Sequence, residues 1–347
     1  MRLCFLTSTP LNVILGSGTF AGITTLADAL RGLGAEIDIV HGPEEATTQA
    51  RVAFNQELAR RDFSAYYATV GFDLDGYLRP PGGPPHIVCL KGVIADELRF
   101  EEGDIRAGLA EQAALEQKNL ARADHVVTTS QYSARSIARY YGYQREINVI
   151  PELIDLNRWE ALFGQVPPRS QPESFRLLTV CRFYARKRID LLLEAMALLP
   201  ARDSLQLRIV GDGLEGARWR ALSEYLALGE RGQFLGDVSY QQLAEEYRHA
   251  DTFVFPSAQE GFGIVLLEAM AAGLPIIATR SAAIPEVVPE ALFADSTPAG
   301  LAEVIRMVFQ SAELRQKLAA QSRERVQLFE ARRVARQFQE LLRRLIQ

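Results

Sequence analysis

Two glutamates with seven residues between them mark the stretch "SAQEGFGIVLLEAMAAGLPIIAT", residues 257–279. Glu260 adjoins a Gly-Phe-Gly turn, and Glu268 is the only charge in the apolar run 264–272. A strand is predicted before the turn, and a helix is predicted from near Gly263. Glycines let a ligand approach the main chain, and the first N–H groups of a helix attract anions or hydroxyls. A carboxylate in an apolar helix needs hydrogen-bonding partners. Sugar hydroxyls or a structural arginine could each supply them.

Two cations follow another predicted strand, in "TVCRFYARKRID". Arg182 comes just past the strand, and Lys187 lies five residues later, before a helix. Paired cations at a strand end suit a diphosphate, although solvated surface charges are the plainer interpretation. Near the N-terminus, "ILGSGTFAG" is predicted as a glycine-rich turn in which Gly16, Gly18 and a helix start at Thr19 could cradle phosphate. A plain tight turn is equally consistent with those glycines.

Strands and helices alternate along the chain, which predicts parallel βαβ units. The predicted strands lie near 2–7, 35–40, 66–70, 86–90, 124–128, 147–150, 176–181, 205–210, 232–235, 251–255 and 275–278. The Pro- and Ser-rich segment 163–174 is the best candidate for a linker between the two series of strands and helices. We therefore expect an α/β protein of two doubly wound, Rossmann-like domains, 1–165 and 175–328, facing a cleft at the carboxyl ends of their strands.

Composition excludes several classes of protein. Residues 1–165 hold 15 Lys/Arg against 21 Asp/Glu, a net charge of −6, which is a poor surface for nucleic acid. No apolar run reaches the roughly 20 residues of a spanning helix, so at most peripheral membrane contact is expected. The start "MRLCFLTSTP" predicts a strand rather than a signal peptide. Cys4, Cys89 and Cys181 lack CxxC spacing and are expected to be buried free thiols in the cytoplasm.

Several motifs together resemble retaining glycosyltransferase family 4, a family with the GT-B fold. They are "RFYARKRIDLLLEA", "LRIVGDGLEG", "FLGDVSYQQLAEEYRHADTFVFPSAQEGFGIVLLEAMAAGLPIIAT" and "IPEVV", and they span nearly all of 176–290. The N-terminal half is similar to the family more loosely. The resemblance implies that residues 329–347 form a helix that crosses back to the first domain.

The resemblance also implies roles for individual residues. Glu268 matches the glutamate that holds the nucleotide ribose, and Glu260 matches the one near the transferred sugar. Arg182 and Lys187 match the diphosphate clamp. Donor-binding positions are further expected at Gly18, Gly211, Val238, Gly261, Phe262 and Gly263. Such enzymes use a sugar nucleotide and usually need no metal or other cofactor.

The sequence departs from the family pattern at a few positions. Lys91, in "HIVCLKG", stands where a histidine is frequent, and it could still contact donor phosphate or acceptor. Glu152 stands where an asparagine is common. Ala282 and Ala283 replace the usual pair of glycines.

Two further patterns suggest other chemistry. Gly211, Gly213 and Gly216 form a GxGxxG after a strand, the fingerprint of a dehydrogenase, although on the second strand of their domain. Asp73 and Asp75 imitate a DxD metal motif.

The sequence thus predicts a retaining hexosyltransferase that moves a sugar from a nucleotide diphosphate, UDP before GDP, to a hydroxyl of a saccharide, small molecule or lipid-linked acceptor. The alternatives are an NAD-dependent dehydrogenase, a GT-B epimerase, or an inactive partner that only binds nucleotide sugar.

Overall fold

The computed structural model of the protein describes residues 1–8, 13–42, 48–72, 82–169 and 174–346. The chain divides into two compact units, each of which has its own sheet and core. Unit 1 comprises Met1–Ile154 with Phe329–Gln347, and unit 2 comprises Asp155–Leu328. Both are α/β units built on a six-stranded sheet.

The sheet of unit 1 is parallel throughout and has the order β2-β1-β3-β4-β5-β6. Its strands are β1 (Arg2–Thr7), β2 (Glu36–His41), β3 (Ala68–Phe72), β4 (His86–Leu90), β5 (His125–Thr128) and β6 (Ile147–Val149). Every residue of β3 and β4 is buried. Parallel strands covered on both faces give near-continuous apolar runs, and this explains why the sequence pattern predicts them well.

Helices connect these strands. They are α1 (Val13–Arg31), α2 (Thr48–Leu58), α3 (Ile94–Glu97), α4 (Gly103–Arg122) and α5 (Gln131–Tyr141). The prediction of a glycine-rich turn with a helix start at Thr19 is wrong, because α1 begins at Val13 and includes Gly16 and Gly18. A glycine inside a helix costs about 1 kcal/mol relative to alanine. A 19-residue helix with a buried apolar stripe (Ile23, Ala27 and Leu30) tolerates that cost.

The sheet of unit 2 has the order β12-β11-β10-β7-β8-β9. Its strands are β7 (Phe175–Val180), β8 (Leu205–Val210), β9 (Gly232–Gly236), β10 (Thr252–Phe255), β11 (Ile276–Thr279) and β12 (Leu292–Ala294). The order reverses between β7 and β10, which are adjacent. In open parallel sheets, ligands bind outside the carboxyl ends of the strands at such a reversal.

The helices of unit 2 flank this sheet. They are α6 (Leu156–Gln165), α7 (Ile189–Leu198), α8 (Gly216–Tyr225), α9 (Tyr240–His249), α10 (Ile264–Ala271), α11 (Ile284–Val287), α12 (Pro298–Gln310) and α13 (Ala312–Val326). The division between the units lies at 154/155, about ten residues before the predicted domain end at 165. The reason is that α6 packs on α9 and α10, with the Trp159 ring 5.7 Å from that of Tyr247.

The segment predicted as a linker, 163–174, belongs to unit 2 where it is described. The guanidinium of Arg169 donates to Asp251 (3.1 Å) and to the carbonyl of His249 (3.2 Å). Residues 170–173 lie outside the described residues.

The last helix, α14 (Ala331–Leu345), belongs to unit 1 and packs on α1. Val334, Phe338 and Leu342 are buried in the core of that unit with Leu3 and Phe5 of β1. Its apolar face is therefore covered by protein, which argues against a helix lying in a membrane surface. Across the described residues, none of the helices combines the length and apolar character needed to span a bilayer.

Candidate active site

The loops that follow β7 and β10 meet at the carboxyl edge of the unit 2 sheet. The backbone N–H of Ala258, after β10, donates to the carbonyl of Arg186, after β7, at 2.7 Å. The hydroxyl of Thr279, at the end of β11, donates to the carbonyl of Ser257 at 2.7 Å. The two sequence stretches that predict chemistry, 182–187 and 257–263, are thereby brought together.

Lys187 and Glu260 form a buried ion pair in this place. The ammonium of Lys187 donates to Glu260 Oε1, and the two side chains are only 12% and 9% exposed. The Ser257 hydroxyl donates to the same oxygen at 2.9 Å. The predicted phosphate cation and the predicted sugar carboxylate therefore contact each other directly as an ion pair.

Arg182 stands at the same edge but is held more loosely. Its guanidinium is 3.8 Å from Asp237 Oδ1, and its side chain is 36% exposed. Val238 follows Asp237 in the loop after β9 and is half-buried. The guanidinium is thus anchored near the Val238 loop and keeps donors for an incoming anion.

The Gly-Phe-Gly turn leads directly into α10. Gly261 and Phe262 are buried, and Gly263 has a φ of +91°, in the left-handed region that favours glycine. Helix α10 then starts at Ile264, close to the predicted position. The first N–H groups of a helix lack intrahelical acceptors and carry the positive end of its dipole. This turn consequently presents partial positive charge at the edge where the loops meet.

Glu268 lies one turn further along α10 and is buried. Its Oε2 accepts a hydrogen bond of 2.8 Å from the hydroxyl of Tyr247 on α9. Burial raises the pKa of Glu268 to about 7, and the bond from Tyr247 opposes that rise. Within the described part of the chain, no Arg or Lys pairs with this carboxylate, so the structural-arginine alternative has no support.

The carboxylate of Glu268 sits in aromatic surroundings. Tyr247 packs its ring 5.7 Å from that of Trp159. Burial raises the pKa of Tyr240, and the nearby Glu268 charge adds to the rise. An apolar wall around one carboxylate strengthens any hydrogen bond that a ligand hydroxyl would donate to it.

The glycines of "GDGLEG" have a packing explanation. Gly211 and Gly213 have φ values of +119° and +153°. A Cβ on Gly211 would lie 1.9 Å from the carbonyl oxygen of Cys181, and one on Gly213 would lie 2.8 Å from the amide nitrogen of Phe183. Close approach of the β8 and β7 loops therefore requires these glycines. The pattern needs no dinucleotide to account for it, and the N–H of Gly211 donates to Gly236.

Unit 1 holds the remaining charged candidate, Lys91. Its Nζ donates to Glu152 Oε2 at 2.7 Å, and the side chains are 13% and 3% exposed. The pair lies against α1, because a Cβ on Gly22 would be 2.7 Å from Nζ and 2.8 Å from Oε2. Lys91 is thus neutralised by Glu152. Gly18 also lies in this unit, inside α1.

The alanines at the start of α11 contact the site through the backbone. Ala283 N–H donates to the carbonyl of Glu260 at 3.3 Å. Ala282 has a φ of +52°, a conformation that costs a non-glycine residue about 1–2 kcal/mol. The departure from the glycine pair therefore carries local backbone strain.

Metal ligands are not grouped in the described ranges, where no three His, Cys, Asp or Glu side chains could hold one ion. Asp73 and Asp75 lie outside the described residues. Cys4, Cys89 and Cys181 are buried free thiols. Burial raises the pKa of Cys181 to about 12.

Sequence reasoning missed two polar residues of the site, Ser257 and Tyr247. Each donates to one of the two glutamates. A buried carboxylate calls for a donor, but nothing in the local sequence says which distant hydroxyl supplies it. The sequence therefore indicates that each buried glutamate has a hydrogen-bond donor, but it does not identify Ser257 and Tyr247 as those donors.

Comparison with known proteins identifies glycosyltransferases as the proteins that this chain is similar to. The profile described as "Glycosyl transferases group 1" matches residues 166–325, and that of "Glycosyltransferase Family 4" matches residues 63–158. A D-inositol 3-phosphate glycosyltransferase of Geodermatophilus obscurus is 35% identical over 217 residues, which are 57% of this chain and 48% of that protein. The O-antigen chain mannosyltransferase B of Escherichia coli is 31% identical over 189 residues, 50% of this chain and 48% of that protein. The chain thus spans about half the length of these curated relatives.

Solved structures are similar over nearly the whole chain. A sucrose-phosphate synthase from Thermosynechococcus elongatus has a TM-score of 0.82 at 24% identity and covers 99% of both chains. Anabaena HepE, solved with UDP and glucose, has a TM-score of 0.72 at 18% identity and covers 99% of this chain and 100% of its own. The fold of the chain is that of these two-domain proteins, GT-B.

Proposed function

The chain belongs to the group 1 glycosyltransferases, and from that premise we propose that it transfers a hexose from a nucleotide diphosphate to a hydroxyl with retention of configuration. UDP is the first choice of nucleotide and GDP the second. The acceptor is a hydroxyl on a saccharide, a small molecule or a lipid-linked glycan. The product belongs to glycan or glycoconjugate synthesis.

The observation that carries this proposal is the meeting of Lys187, Glu260 and the start of α10 at the reversal of strand order. When the bond from the sugar C1 to the diphosphate breaks, its electron pair leaves on the phosphate oxygen. Lys187, Arg182 and the helix N-terminus stabilise that growing negative charge. Preorganised donors of this kind contribute most when they need no reorientation during the reaction.

Among the described residues of the site no side chain is identified as an enzymic nucleophile, and the resemblance to retaining glycosyltransferase family 4 implies a front-face attack assisted by the leaving phosphate. In the proposed step, the acceptor oxygen bonds to C1 on the face that the diphosphate leaves. Its proton passes to the departing phosphate oxygen. Glu260 positions the sugar ring, so that the oxocarbenium-like C1 is aligned with the acceptor oxygen that bonds to it.

The remaining residues orient the nucleotide. Glu268 accepts hydrogen bonds from the ribose hydroxyls, and the main chain at Val238 meets the base. The fold similarity to HepE, which was solved with UDP and glucose, supports a UDP donor. The proposal includes independence from metal ions, because two cations and a helix terminus already face the diphosphate. It also includes a cytoplasmic location, which the buried free thiols support.

A donor screen tests the proposal. Melting temperature is measured with UDP-, GDP- and ADP-glucose, with UDP and with NAD. The best donor is then supplied in radiolabelled form with mixed sugar acceptors, and the anomeric configuration of the product is read by NMR. We expect stabilisation by UDP-glucose and a retained α-anomer. Stabilisation by NAD alone would select a dehydrogenase, and tight binding with no turnover would select an inactive binding partner.

A further inference from the structure

Ser257 occupies the junction of three strand ends in unit 2. It follows β10, its carbonyl accepts from Thr279 at the end of β11, and its hydroxyl lies 3.3 Å from the carbonyl of Arg186 after β7. The residue is fully buried. A hydroxyl at this point is enclosed by the loops that carry the predicted chemistry.

The hydroxyl of Ser257 has one hydrogen and several acceptors within reach. These are Glu260 Oε1 at 2.9 Å, the carbonyl of Gln259 at 3.0 Å and that of Arg186 at 3.3 Å. The carboxylate offers the nearest and the only charged acceptor, and bonds to charged groups are about twice as strong as neutral ones. Glu260 is therefore the favoured partner of this hydrogen.

Both donors to Glu260 use the same oxygen. Lys187 and Ser257 each donate to Oε1, whereas Oε2 has no hydrogen-bonding partner among the described residues. The terminal torsion of a glutamate is broad and roughly two-fold, and a lysine stem is flexible. A single ammonium contact would leave the plane of the carboxylate free to turn. A second donor from a fixed backbone removes that freedom.

We propose that Ser257 is a positioning residue that locks the Glu260 carboxylate, so that Oε2 alone is presented to a sugar hydroxyl of the donor. This inference rests on the proposed function for its kinetic consequence. The orientation of the carboxylate can be measured without any turnover. Ser257 itself touches neither substrate nor reacting atoms.

The experiment compares Ser257→Ala with Ser322→Ala. Ser322 is a matched control, because it is also buried in unit 2 and also donates one hydrogen bond, to the carbonyl of Leu274 at 2.7 Å. Both variants lose one buried hydroxyl, so both should lower the melting temperature by a similar amount. Only Ser257→Ala should lower kcat, by roughly 10- to 100-fold, which is the cost of misplacing the group that positions the substrate. The KM for the nucleotide sugar should change less than about threefold.

Two further readouts separate positioning from a purely structural role. In the Glu260→Gln background, Ser257→Ala should have almost no additional effect on kcat, because the two residues act as one unit. In a crystal structure of Ser257→Ala, the carboxylate of Glu260 should be rotated or disordered. Equal effects of Ser257→Ala in both backgrounds, or an unmoved carboxylate, would overturn the inference. A wild-type protein that turns over no donor would instead overturn the proposed function, while the crystal structure would still decide the orientation of Glu260.

Discussion

Lys91 Nζ lies 2.7 Å from Glu152 Oε2, and these are two of the positions at which the sequence departs from the family pattern. A lysine where a histidine is frequent and a glutamate where an asparagine is common have become one ion pair. Each explains the other, because a buried ammonium requires a nearby anion. The pair is packed against the backbone of Gly22 and lies 5.6 Å above the ring of Phe72.

The first prediction concerns the stability of this pair. Lys91→Met and Glu152→Gln should each lower the free energy of unfolding by roughly 3–5 kcal/mol, because each leaves one buried charge or donor unpaired. The double variant should lose much less than the sum. Urea denaturation of the four proteins measures the coupling. Additive losses would show that the two side chains do not interact in solution.

A functional consequence follows from the same contact. Since Glu152 neutralises Lys91 in the wild-type protein, a folded Lys91→Met protein should keep a donor affinity within about threefold of that of the wild type. A much larger loss would return Lys91 to the set of donor phosphate or acceptor contacts.

The sequence predicted the strands better than it predicted the helix boundaries. Predicted strands overlap β1 to β11, and the apolar signal is clearest where every residue of the strand is buried, as in β4 and β10. The run "LFA" of β12 is only three residues long and gives no such signal. The turn residues of "ILGSGTFAG" predicted a loop, yet α1 extends through them. The predicted linker, 163–174, overlaps α6 only at 163–165, and the units divide earlier, at 154/155, because Trp159 of α6 packs on Tyr240 and Tyr247.

The site was predictable in its charges and not in its hydroxyls. Glu260, Lys187 and Glu268 stand out because each is a charge beside a turn or in an apolar run. Ser257 is ordinary in sequence, and Tyr247 lies 21 residues from its partner Glu268. Their roles depend on which strand ends are neighbours, and that information appears only when β7 and β10 are placed side by side.

The second prediction concerns the charge beside Glu260. Lys187→Ala should lower turnover by about 100-fold or more, because a preorganised cation at a developing anion is lost. Lys317→Ala is the control, since Lys317 is an exposed lysine of the same unit on α13. Steady-state rates, with circular dichroism to verify the fold, provide the measurement. Wild-type kinetics in a folded Lys187→Ala protein would contradict the assignment.

The third prediction uses the pKa of Glu268, which burial raises to about 7 from an ordinary 4.5. The folded state therefore holds this proton more tightly than the unfolded state. The contribution of Glu268 to stability is present below pH 4.5 and is lost as pH rises to about 7. Glu268→Gln should thus gain stability relative to wild type above pH 7. Thermal melts from pH 5 to pH 8 measure the difference.

Donor binding should respond in the opposite direction. Ribose hydroxyls donate best to the charged carboxylate, so wild-type affinity should rise as pH increases through about 7. Above that pH, Glu268→Gln should bind the donor about 1–3 kcal/mol more weakly and without a pH dependence. Glu224→Gln, at an exposed position on α8, is the matched control. Unchanged donor affinity in Glu268→Gln would make Glu268 a structural carboxylate.

The fourth prediction concerns metal ions. A DxD-type site needs a divalent ion to bridge the diphosphate. With Arg182 and Lys187 at the edge of the sheet, activity should survive millimolar EDTA, and added Mn²⁺ or Mg²⁺ should change kcat less than about twofold. Loss of activity in EDTA with recovery on Mn²⁺ would place Asp73 and Asp75 in the site.

The last prediction concerns α14, whose residues are the final ones of the chain but form part of the core of unit 1. Phe338 is 1% exposed among Leu3, Phe5 and Ile23. Phe338→Ala should lower the free energy of unfolding of unit 1 by about 3–5 kcal/mol, the usual loss for a buried phenylalanine.

The two tryptophans of the chain, Trp159 and Trp219, both lie in unit 2. Tryptophan fluorescence therefore follows the unfolding of unit 2, whereas circular dichroism at 222 nm follows both units. Because each unit has its own core, Phe338→Ala should shift part of the dichroism transition to lower urea and leave the fluorescence midpoint in place. Arg336→Ala, on the exposed face of the same helix, should shift neither signal. If both signals of Phe338→Ala moved together by the same amount, the two units would unfold as one, and if neither signal moved, the burial of Phe338 in the core of unit 1 would be contradicted.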